Sequence, residues 1–164
     1  KRLREGALPS QPDTVDFWAE VSEFDRSVTA VDATLDELDT KIKLLAMANE
    51  RIMGGDPAVL DNNLQAIRNE LNALSELVEG NPARNEIYER TQPTVRSRLG
   101  FVLTGLGRST YGPTQTHRDQ LAIAKSEFAT IRQRVSTLVG TTIPAFEADL
   151  VAAGAPWVPG GVIP

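Results

Sequence analysis

The chain of 164 residues is long enough for one domain with its own core, and 41% apolar residues set it apart from a disordered segment. A net charge of −5 weighs against general nucleic-acid binding, and with no cysteine the chain has no disulfide, thiolate metal site or cysteine nucleophile. No apolar run approaches the ~20 residues of a membrane-spanning helix, and aromatics at 5% suit aliphatic helix seams better than a β-sandwich.

Residues 1–13 read as an irregular lead-in with Pro9, Pro12 and no hydrophobic period, the pattern of a linker from a preceding domain. From Thr14 to Met53 the ruler is seven residues long. Phe17, Val21, Phe24, Val28, Val31, Leu35, Leu38, Ile42, Leu45 and Ile52 alternate steps of four and three, and only Asn49 breaks the series. This predicts one helix of ~60 Å, capped at Thr14 and stopped at Gly54-Gly55. Asn49 either fixes register or marks where the helix end has left the seam. Acidic residues from Asp13 to Asp39 crowd the first half of this helix, and bases concentrate later, from Arg84 through Arg96, Arg98 and Arg108 to Arg134. The two regions either face one another within the bundle or are solvated. The sharper alternative is an acidic docking face on the first helix.

The second helix opens on an Asp56 cap with Pro57 at its first position. Leu60, Leu64, Ile67, Leu71, Leu74 and Val78 form its seam, and Gly80 with Asn81-Pro82 closes it. The connection before it is so short that the first two helices must be antiparallel. Ile87 and Tyr88 fit a helical turn at a bundle end. A third helix begins near Thr91 to Pro93, with Val95, Leu99, Val102 and Leu106 as its seam. In it, Gly100 is expected to permit close helix approach and Gly107 to end the helix.

The fourth helix starts at Thr114 or Thr116, and Thr116 with Asp119 has the spacing of a capping box. Its seam is Leu121, Ala124, Phe128, Ile131, Val135 and Leu138, continued past Pro144 by Ile143, Phe146 and Leu150. Proline predicts one helix kinked near Pro144 or two helices in line. Residues 154–164 form an extended tail, expected to fold back or to dock on another domain. The expected fold is all-α: an up-down-up-down four-helix bundle over 14–153, its first and last helices long and coiled-coil-like, with part of that pair protruding.

Chemistry is sparse. His117 is the only histidine and opens a helix, so a surface or capping role fits it better than a metal ligand or general base. Gly105-x-Gly107 follows a helix rather than a strand and is no phosphate loop. Arg96, Arg98 and Arg108 are expected to pair with acids of the first helix rather than bind an anion. No catalytic, cofactor or metal residue is assigned, and an enzymatic role is not expected. Trp18 reads as a packing residue. Trp157, Val158, Val162, Ile163 and Tyr111 are the candidate partner-binding residues.

The last third carries Tyr111-Gly112-Pro113-Thr114-Gln115, the amphipathic stretch from His117 to Val139, Ile143-Pro144-Ala145-Phe146, Leu150, and Ala153-Gly154-Ala155-Pro156-Trp157-Val158-Pro159-Gly160. This resembles the C-terminal helical region of large bacterial exported proteins with sortilin-like, BNR-repeat β-propellers, often labelled glycosyl hydrolase-like. The resemblance covers roughly Thr91 to Gly160; before that only the helical layout is similar. It implies an exported parent, periplasmic, cell-surface or extracellular, in which a non-catalytic helical module follows the propellers. The implied partner is a protein, either the parent's propeller portion or another envelope protein. Two other roles stay open: a structural subunit of a larger cell-surface or membrane-associated assembly, and an accessory domain of a glycosidase-like enzyme.

Overall fold

A computed structural model describes residues 11–81, 84, 92–108 and 112–157, and among these the regular structure is entirely helical. In chain order the elements are α1 (Gln11–Asn49), α2 (Pro57–Val78), α3 (Val95–Arg108) and α4 (Gln115–Thr137). A π-helical turn (Leu138–Thr142) then leads without a break into α5 (Ile143–Ala152).

Local chemistry explains most boundaries. α1 begins before Thr14, because Pro12 already fits a first turn whose N–H groups have no partners. It ends at Asn49, earlier than Gly54-Gly55, so Ile52 leaves the helix and is only half-buried. Asp56 caps α2 by accepting a hydrogen bond from the Ala58 N–H at 3.0 Å, with Pro57 directly after it. Gly80, at φ 94°, closes it in a conformation that favours glycine. Thr94 caps α3, its hydroxyl accepting from the Ser97 N–H at 3.2 Å. Before Pro144 the Ile143 N–H reaches back five residues to the Leu138 carbonyl. The widened turn accommodates a ring that would otherwise clash one α-turn back.

Apart from Ile52, the predicted seams are all buried. Val21, Val28, Leu74, Val78, Leu99, Val102 and Ala124 are fully sealed, and Phe24 meets Phe128 edge to face with centroids 5.3 Å apart. Leu35, Leu71, Leu99 and Phe128, one from each seam, lie in a single core.

The spatial order differs from the expected one. Arg118 pairs with Asp13 and Lys125 with Glu20, both across 105 residues. Lys41 meets Glu147 further along. Contacts that climb together in number mean that α1 and the α4–α5 rod run in the same direction. α2 runs back against α1: Asn49 bonds Asp61 at one end, while Arg96 bridges Glu79 to Asp25 and Asp32 at the other. α3 then keeps the direction of α2, since Arg98 reaches Glu127 while Phe101 lies against His117. Among the described residues four helical segments therefore pack as three rods, each touching the other two, with α2 and α3 end to end in one of them. The long connection between Val78 and Val95 does not oblige a reversal, and covering the remaining stripe of α1 decides the direction. For the same reason no long helix pair protrudes: α1 is buried on one side from Phe17 to Ala48.

Parallel first and last rods give a direct expectation. Glu20→Cys with Lys125→Cys will be joined by a short bismaleimide within one chain, at high yield. An up-down-up-down order would place these positions at opposite ends, and no intramolecular product would form.

Candidate functional site

Three places carry more than packing. The first is the end of the bundle where α1 and α5 terminate. The Met53 and Gly54 N–H groups both donate to the Ala153 carbonyl at 3.0 Å, tying the α1–α2 turn to the end of α5. Gly55 sits so close that an added Cβ would lie 3.2 Å from the Ala153 Cβ, and its φ of 79° favours glycine as well. Beneath this junction Asn49 is buried and its side-chain amide donates to Asp61 at 2.6 Å, while its Oδ1 accepts from no described group. Around it stand Met47, Met53, Val59, Val151 and Trp157, each at least half exposed, Met53 at 88% and Trp157 at 55%. Half of the ten exposed large apolar side chains among the described residues thus belong to this end.

The second place is a groove of about 530 Å³ between α2 and the π turn, floored by Ile67, Leu138 and Phe146 and walled by Ala66, Ala145, Thr141 and Thr142. Small walls and a widened backbone turn open it. Glu70 and Arg134 pair across it through two hydrogen bonds of 2.8 and 2.9 Å. That hydrogen bonding, helped by the guanidinium charge, outweighs burial and holds the Glu70 carboxyl below the usual range; Arg134 is raised in turn. Both ends of this pair are already satisfied by each other.

The third place is His117, 7% exposed under α3. It forms a capping box with Thr114: the Thr114 hydroxyl accepts from the His117 N–H, and the His117 Nδ1 accepts from the Thr114 N–H at 3.2 Å. Its ring fills the space over Gly105, where an added Cβ would fall 2.2 Å from Nε2. Gly105, not Gly100, is therefore the glycine of close approach; nothing lies within 4 Å of a Cβ at Gly100 or Gly107. The box is Thr114 with His117 rather than Thr116 with Asp119, and Asp119 instead accepts from Gln115 at 2.7 Å. The Thr-x-x-His spacing was visible in sequence, but Glu or Gln is the usual partner at the third helical position. Burial corrects the expected surface position; the capping role stands.

Of the candidate partner-binding residues, Trp157 stands exposed at the first of these places. Tyr111, Val158, Val162 and Ile163 lie outside the described residues, as do Ile87 and Tyr88. Trp18 packs against the core as expected. Arg96 bonds the acids of α1, but Arg98 turns to Glu127 and Gln120 of α4, since α3 packs on both long rods. With Arg118 and Lys125 also engaged by α1 acids, the facing-charges reading accounts for Asp13, Glu20, Asp25 and Asp32, and Asp39 pairs with Lys43 within α1. Sequence reasoning missed the Lys41–Glu147 pair, in which Glu147 is buried. Nζ lies 2.8 Å from Oε1 but off the line of a directed hydrogen bond. No group of three or more His, Cys, Asp or Glu among the described residues is placed to hold a metal ion. No described helix is long and apolar enough to cross a membrane. Comparison with protein-family models, curated proteins and solved structures finds no match.

Two outcomes follow from these geometries. Gly105→Ala will destabilise the fold by about 1–3 kcal/mol, because the new methyl must evict a ring held at the cap. In urea titrations the double variant Gly105→Ala/His117→Ala will cost less than the two single changes added together. For Glu70, a carboxyl depressed by folding adds stability above its unfolded pKa and loses it as pH falls through the folded value. Glu70→Gln will accordingly flatten the acid limb of a stability-against-pH curve. The pair is partly exposed, so the change at neutral pH will be under about 1 kcal/mol.

Proposed function

We propose that this chain is a non-catalytic helical module for protein–protein contact or domain assembly, placed after the propellers of an exported, sortilin-like bacterial protein. The reading is carried by one observation: half of the exposed large apolar side chains among the described residues gather at one end of the bundle, with Trp157 where the chain leaves α5. Buried seams account for the remaining apolar stripes, and the charged side chains near them are largely paired with one another. Trp and Met at a bundle end are the kind of anchors that interfaces use. The resemblance of residues 91–160 to the C-terminal region of propeller proteins supplies the exported setting. The partner is then the propeller portion of the same parent or another protein of the cell envelope.

Purified bundle used as bait should retain the propeller portion or an envelope protein. Recovery of neither would remove the reading. Light scattering should show a mass that does not change with concentration; growth with concentration would instead favour a self-assembling subunit.

A further inference from the structure

The bundle end around Met53 is electrically one-sided as well as apolar. α1 and α5 both finish there, so two helix C-termini, each with about half a negative charge, point the same way. α2 begins there, but Asp56 already caps its positive pole. The segments 49–61 and 149–157 carry four carboxylates, Glu50, Asp61, Asp149 and the capping Asp56, against the single guanidinium of Arg51, so with Asp56 set against the α2 pole three remain to one. All five are exposed side chains around the apolar group. The buried Asn49 oxygen adds an acceptor without a described donor. In an up-down-up-down bundle the poles of the first and last helices would oppose each other; here the parallel rods make them add.

We infer that this end binds a basic amphipathic segment of a partner protein, apolar anchors seating on Met53, Val151 and Trp157 while Lys or Arg side chains meet the surrounding carboxylates. This rests on the interaction-module reading and specifies its site. Charge selects among occupants. A second copy would bring the same negative end, and an anionic lipid surface would be repelled. A cationic segment gains from both the carboxylates and the helix poles, and desolvating the apolar group strengthens each contact.

The test uses the full chain with Trp18→Phe, so that Trp157 alone reports. The probe is a short amphipathic Leu/Lys peptide, compared with its Leu/Glu counterpart. The Leu/Lys peptide should shift Trp157 emission to the blue and bind at least about tenfold tighter than Leu/Glu. Its affinity should fall as salt rises. Met53→Ser with Val151→Ser, both at exposed positions, should weaken it about tenfold with the helical circular dichroism unchanged. Glu50→Gln with Asp149→Asn should flatten the salt dependence. Equal binding of the two peptides, no shift with either, or full affinity in the Met53/Val151 variant would each overturn the proposal. So would a shift produced by anionic phospholipid vesicles or by raising the protein's own concentration. Bait experiments with the same variant separate the two levels. Undiminished capture of the propeller portion keeps the module and removes this site; failure of the unsubstituted bait removes the module itself.

Discussion

A helix of 39 residues with one apolar side cannot stand alone in water, and covering that side is the constraint on which the rest of the molecule depends. From Phe17 to Ala48 the stripe is continuous. At 1.5 Å per residue, that stripe needs companions along nearly 50 Å. No other single α-helical element is as long. The α4–π–α5 run supplies one rod of matching length, and α2 and α3 supply the other by lying end to end. The π turn belongs to the same solution, since it lets one rod pass Pro144 without ending the seam that Ile143, Phe146 and Leu150 continue.

Charge then sets which way the rods slide and point. Asp13 and Glu20 of α1 meet Arg118 and Lys125 in the order that parallel first and last rods require, while Asp25 and Asp32 meet Arg96 at the start of α3. Exposed pairs of this kind are each worth about 0–1 kcal/mol, so they choose among registers more than they hold the fold together. The buried polar groups penalise slippage more. Glu147 under Lys41 and Asn49 on Asp61 would each be left unpaired by a shift of one turn. His117 acts in the same sense: its ring is accepted only where α3 offers a glycine.

The functional consequence of parallel long rods is an end with a sign. Two helices finish at the α1–α2 turn, so the carbonyl poles accumulate where the exposed Met and Trp side chains also lie. The groove beside the π turn is larger than an ordinary packing defect, but its charged pair is mutually satisfied and its walls are short side chains. That contrast is why the bundle end, rather than the groove, carries the functional reading.

All four seams were legible in the sequence, because a buried helix face repeats its apolar residues whatever it packs against. The Asp56-Pro57 start of α2 and its glycine closure were legible too, since caps are settled within a few residues. Trp157 could be singled out as an anchor from its type and setting, but its exposure could not be read there. What only the tertiary structure decided is direction and proximity: α3 continuing α2, His117 over Gly105, Glu147 beneath Lys41, and the gathering of Met53, Val151 and Trp157 at one end. Periodicity records which side of a helix avoids water. It carries no information on which neighbour covers that side or which way the neighbour runs, because an apolar stripe packs about equally well against a parallel or an antiparallel one.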